Sequence, residues 1–322
     1  MRKIIVQIVR FAVSIGLLGY LIYLADISTI YSILRRVNGL YFGSALCAFL
    51  VGLLILTWRW KLLLQTLDIR PGYPKLLVFY FIGYFFNNFL PTTIGGDISR
   101  AYNVARLSDR RAESVGIVLF ERMLGLIATL SLAAFSLFWV LQHFHTLRIV
   151  YVTVTMLILV GLGFGLVLNP RFFRRIVQVF EKIEFFDLGN RLNRVLNSIH
   201  VFRAHKARIG ITYLFSLCSQ IVFIFMNYLL ARSLNLEQVS FQFLFLVIPV
   251  AFLLGLLPSI NGLGVRDSGY VFLLTRVGLT PAEALSLSFL NTLVPMLMSG
   301  LGGVFLVFYR TPKNEPLKED RS

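Results

Sequence analysis

The sequence predicts an all-α fold: a polytopic helical integral membrane protein with two inverted re-entrant helix segments. Three observations predict it. Hydrophobic residues make up 57% of the chain and charged residues 14%, against about 45–50% and about 25% in a soluble domain. Eight long stretches are nearly free of charge. The Lys and Arg residues between them fall into a pattern that only some topologies allow. This composition excludes a soluble globule, a disordered chain, a collagen-like fibre and a coiled coil. The 322 residues carry 31 Lys and Arg against 15 Asp and Glu, a formal net charge of +16. In an apolar chain that excess belongs to cytoplasmic loops and anionic lipid contact, so no nucleic acid partner is expected.

The apolar stretches lie near 4–25, 39–58, 76–94, 123–142, 149–168, 209–231, 241–265 and 284–309. A spanning helix needs about 20 such residues. The first follows Arg2 and Lys3 as a signal peptide would, but Arg10 interrupts it and no small-residue cleavage site follows. It reads as an uncleaved helix. Cys47 and Cys218 each sit inside an apolar run and form no disulfide framework.

Counting basic residues tests the topology. Eight simple crossings with a cytoplasmic N-terminus leave 13 Lys and Arg inside and 18 outside, against the positive-inside rule. If 76–94 and 241–265 enter and return, the count becomes 25 inside and 6 outside. The sequence therefore predicts about six full spans, with re-entrant segments near 76–97 and 241–266 and both termini cytoplasmic.

The choice of those two stretches rests on their ends. One closes with Leu90-Pro91 and then Gly95-Gly96, the other with Leu257-Pro258 and then Gly262 and Gly264. Proline breaks a helix and glycine permits the turn. In hydrocarbon such a break is tolerated only inside protein or beside water. In each copy the first glycine follows the proline by four residues, and an arginine with a nearby acid follows within nine. Matching broken helices that enter from opposite faces are a transporter pattern.

One membrane domain over 1–310 is predicted. Residues 171–207 combine many charges with an apolar stripe at helical spacing, which reads as a cytoplasmic amphipathic segment, lying either on anionic lipid or against the chain's own membrane domain. Residues 311–322 read as a disordered cytoplasmic tail.

Asp97, Arg100, Glu121, Arg122, Arg266 and Asp267 flank or enter apolar segments. Ionisable groups at membrane depth are costly and are functional candidates by default. The planar fork of arginine suits phosphate, and backbone N–H groups in glycine turns can add to such a site. A lipid headgroup phosphate is the ligand this set fits, although the same charges could simply neutralise one another. Asn87 and Asn88 either line the same cavity or bond a neighbouring helix. His143-Phe144-His145 is weak grounds for a metal. No Walker loop, zinc spacing or placeable Ser-His-Asp set is present, so no metal, cofactor or enzymatic activity is expected.

Gly95-Gly96-Asp97-x-x-Arg100, Glu121-Arg122-x-x-Gly125-Leu126 and Gly262-Leu263-Gly264-Val265-Arg266-Asp267 occur in that order. Together they resemble the transmembrane region of lysylphosphatidylglycerol synthases and its stand-alone flippase-like relatives, over about residues 5–310. Asn261 stands where those relatives often have a further glycine, and Asp267 where they often have glutamate. The resemblance implies lipid translocation in a bacterial inner membrane, without the soluble domain that attaches the amino acid. Two other functions fit the residues. One is a non-transporting partner of lipid or glycolipid biosynthesis enzymes. The other is a polyprenyl-phosphate-dependent transferase with Asp97 or Glu121 as base.

Overall fold

A computed structural model describes residues 19–24, 26–89, 95–108, 110–143, 155, 158, 205–257, 259 and 262–308. Among the described residues all regular structure is helical. Among these residues, nine α-helices follow residues 19–24, themselves helical: α1 (Ile27–Arg35), α2 (Gly39–Thr66), α3 (Tyr73–Phe89), α4 (Gly95–Ser108), α5 (Arg111–His143), α6 (Lys206–Ser233), α7 (Phe241–Gly255), α8 (Val265–Leu274) and α9 (Pro281–Phe308).

Local chemistry sets several of the starts. The Asn38 side chain accepts from the backbone N–H groups of Leu40 and Tyr41 and so caps α2. Ser240 does the same for α7 through Phe243 N–H. Thr280 and Glu283 bond each other's backbone N–H in a capping box, and Pro281 opens α9.

Among the described residues, four helices are long and apolar enough to cross a membrane: α2, the Arg111–Ser136 part of α5, α6 and α9. They coincide with four of the six expected full spans. The other two, 4–25 and 149–168, fall almost wholly outside the described residues, as do the 171–207 segment except for its last three residues and the 311–322 tail. Two boundaries differ. The span expected at 123–142 begins at Arg111, so Glu121 and Arg122 are helix residues within it. The second span runs on past residue 58 to Thr66, so Arg59 and Lys61 are helix residues rather than loop residues.

The two stretches expected to enter and return each supply the first helix of a packed pair of short helices. Each pair is a helical hairpin, α3 with α4 and α7 with α8. In the first, Gly96 of α4 lies against the backbone carbonyl of Gly83 in α3. In the second, Gly262 and Arg266 lie against Gly255 of α7. Pro91 and Pro258 lie outside the described residues.

The hairpins belong to a larger repeat. A long helix, a hairpin and a second long helix form one unit (α2, α3–α4, α5) and then another (α6, α7–α8, α9). The first helices of the two units pair antiparallel. Asn38 N–H donates to the Ser233 carbonyl, Phe49 and Gly52 meet the Phe223 ring, and Arg59 bonds Ser216. One number rises as the other falls. The remaining contacts cross in matching fashion, since α3 packs on α9 of the other unit and α5 on α7. The units are therefore inverted with respect to each other. Each carries most of one apolar core, around Trp60, Phe79 and Ile117 in the first and around Phe243, Tyr270 and Leu287 in the second.

Candidate functional site

The first unit gathers its charges at one place. Glu121 lies in the third turn of α5 and is 1% exposed. Its Oε1 accepts from Arg59 Nη2 of α2 at 2.6 Å and from the Tyr80 hydroxyl of α3. Its Oε2 accepts from Arg100 Nη1 of α4 at 3.0 Å. Arg100 Nη2 donates to Asp97 Oδ1 at 2.7 Å, and the other Asp97 oxygen is ion-paired with Arg122 Nε. The Arg100 guanidinium also stands 5.0 Å from the Trp60 ring and 4.2 Å from the Tyr80 ring. Arg59 Nη1 extends the network to Ser216 of α6 at 2.8 Å, so it joins both units.

Three arginines thus face two carboxylates, an excess of one positive charge. Burying such groups is tolerable only because each charge meets an opposite one in good geometry. Arg122 differs from the others. Its side chain is 38% exposed, against 7% for Arg59 and 8% for Arg100. It is the most exposed arginine of the network.

The second unit has a parallel arrangement with less charge. Arg266 Nη2 lies 3.2 Å from Asp267 Oδ1 and donates to the Thr292 hydroxyl of α9. Asp267 is 3% exposed. It accepts from Gly264 N–H at 2.8 Å and from the Ser288 hydroxyl at 2.5 Å. The Tyr270 hydroxyl donates to Asn227 Oδ1 at 2.9 Å and ties α8 to α6. Arg100 and Arg266 occupy corresponding slots. Each sits in the returning helix of a hairpin and bonds a residue about three turns into the next long helix, Glu121 in one unit and Thr292 in the other.

Of the eight expected site residues, Asp97, Arg100, Glu121 and Arg122 come together in the first cluster. Arg266 and Asp267 form the second, which is built from other elements and shares no residue with the first. Asn87 accepts from Gly96 N–H at 2.7 Å and so bonds the neighbouring helix, closing the first hairpin. Asn88 lies in α3, but its side chain falls outside the described residues. The glycines divide by role. Gly262 and Gly264 both have φ of +79°, backbone that an L side chain rarely adopts. Gly95 and Gly96 are helical and buried, and Gly96 serves close packing rather than a turn. Sequence reading missed Arg59, Tyr80 and Trp60. Among the described residues, no group of three or more His, Cys, Asp or Glu could hold a metal.

Residues 7–303 match the lysylphosphatidylglycerol synthase TM region. The chain belongs to that family. A UPF0104 membrane protein of Methanothermobacter thermautotrophicus is 34% identical over 105 residues. That match covers 31% of this chain and 28% of the relative, so it spans under a third of that protein's length. As a member of the lysylphosphatidylglycerol synthase TM family, the chain is a multi-pass membrane protein. The three motifs that carry the resemblance are the ones that build the two clusters. Asp97 and Arg100, with Glu121 and Arg122, make the first. The Gly264–Asp267 segment makes the second.

Proposed function

We propose that the chain is a lipid translocase of the bacterial inner membrane, moving a phosphate-bearing or glycosylated lipid between leaflets. The observation that carries this reading is the buried Arg59–Glu121–Arg100–Asp97–Arg122 network at a helical break in one half of an inverted repeat. Charge held at membrane depth beside broken helices suits a polar headgroup that must pass the apolar core. The two hairpins would be re-entrant from opposite faces, with both termini in the cytoplasm. With α7 only 15 residues long, or about 22 Å, it falls short of a hydrocarbon core of about 30 Å.

No cofactor is required in this reading, and the chain is not an enzyme. The surroundings of Glu121 support that. Its two oxygens already accept from three donors and it is almost fully enclosed, which suits a positioning role better than that of a base. Arg122 and Arg266 would meet the headgroup phosphate, while Asp97, Glu121 and Asp267 hold the arginines in place. Lipid-biosynthesis enzymes would supply or consume the lipid.

A flip assay in proteoliposomes tests this. The wild-type protein should move a fluorescent phosphate-bearing lipid between leaflets, and Arg122→Gln should slow it by tenfold or more, about the loss of one charge-assisted contact worth 1.5 kcal/mol or more. Equal movement by wild type, Arg122→Gln and protein-free vesicles would rule the reading out.

A further inference from the structure

The outer faces of α4 and α5 carry a pattern that the buried network does not explain. On α5, Val115 and Leu119 are exposed, 42% and 45%. Arg122 follows them on the same face at helical spacing. On α4, Ile98 and Tyr102 are exposed, 64% and 60%. The two helices run antiparallel and pack together. The Asp97–Arg122 ion pair crosses their seam, and the apolar stripes run back from it toward the helix ends. Arg111 lies exposed at the start of α5, and Arg106 stands over the Tyr102 ring at 5.8 Å near the end of α4.

Arginines therefore mark both ends of this seam. Arg106 and Arg111 stand where the helices begin and end. Arg122 stands eleven residues along α5, or about 16 Å deeper, which is near the middle of a core about 30 Å thick. A half-exposed guanidinium on an otherwise apolar, outward-facing stripe is unfavourable in plain hydrocarbon. It is favourable where a phosphate and its water can follow the seam inward.

We infer that the outward seam between α4 and α5 is a lateral groove for a membrane lipid, guiding its anionic headgroup from Arg106 and Arg111 to Arg122 while the acyl chains remain in the bilayer. This rests on the translocase reading and adds the route by which the lipid reaches the buried network. The occupant is a membrane lipid rather than a soluble anion, because the residues between the arginines are apolar and would face acyl chains. Asp97 is the gatepost: it holds Arg122 until a phosphate competes for the guanidinium.

The test uses the full chain in nanodiscs of phosphatidylcholine and phosphatidylglycerol, with Cys47 and Cys218 replaced by alanine. Leu119→Cys sits on the seam. Leu214→Cys is its control, since it lies eight residues into α6 as Leu119 lies eight into α5, and it is 62% exposed. A water-soluble thiol reagent should label Leu119→Cys several-fold faster than Leu214→Cys, and adding Arg122→Gln should bring the two rates together. A fluorophore on Leu119→Cys should be quenched by a lipid with a nitroxide on its phosphate headgroup, and one on Leu214→Cys should not. Equal labelling at the two positions would overturn the groove. Fast labelling without quenching would assign the seam to water and overturn the lipid headgroup. Neither readout requires transport. A failed flip assay with this pattern intact removes translocation and leaves the groove, whereas intact flipping with equal labelling removes only the groove.

Discussion

Arg59 shows how a single residue can be misread from sequence and why. It follows the apolar run 39–58 directly, and a charge at the end of such a run reads as the first residue of a loop. In the folded chain α2 continues to Thr66, and Arg59 is 6% exposed between Glu121 and Ser216. A signal was present. Trp60 and Leu62-Leu63-Leu64 continue the apolar character beyond the charge, which a loop does not need. Arg59 and Arg100 are network members rather than loop charges. Glu121 is the member on which the others depend. In Glu121→Gln, Arg59 and Arg100 remain buried without their carboxylate, and breaking such a pair costs about 3–5 kcal/mol. Thermal unfolding in detergent should show that loss. The exposed pair Arg70–Asp68, 71% and 76% exposed, is the comparison: Asp68→Asn should cost under about 1 kcal/mol.

At the scale of the element, the ends of α3 and α7 were legible because glycine acts locally. The role of each glycine was not, because it depends on what lies opposite. A Cβ at Gly96 would run into the Gly83 carbonyl and the Asn87 amide. Gly96→Ala should therefore push α3 and α4 apart, costing about 1–3 kcal/mol as overpacking does, read as a lower unfolding temperature. Gly43 in α2 has open space around it, so Gly43→Ala should match or slightly exceed wild type, since alanine is the better helix former. A fall at Gly43 equal to that at Gly96 would show that packing is not the cause. The carboxylate of Asp267 belongs to the same lesson. It accepts the Gly264 N–H at the start of α8, so it shapes the turn as well as meeting Arg266, and the shorter acid has the reach this requires.

Across the whole molecule, the repeat seen in sequence as two Pro-Gly breaks becomes two inverted units of four helices each. Their inversion fixes which ends share a face. Arg110, exposed between α4 and α5, and Asn235, exposed after α6, should lie on opposite sides. Single cysteines at these positions should label from opposite faces of oriented vesicles, and labelling from one face would refute the topology. Asn103 would be a poor probe, being 8% exposed in α4. The sequence by itself determined the helical membrane class, the four spans that the structure describes and four residues that meet in the charged cluster. Composition, run length, proline and glycine are local properties, and they act before any helix meets another. Only the tertiary structure decided that the candidate charges form two clusters, that Arg59 and Tyr80 complete the first, and that Arg122 is the one turned partly outward. Those outcomes depend on which helices pack together. The inverted pairing of α2 with α6, set by contacts between residues more than 150 positions apart, brings that packing about.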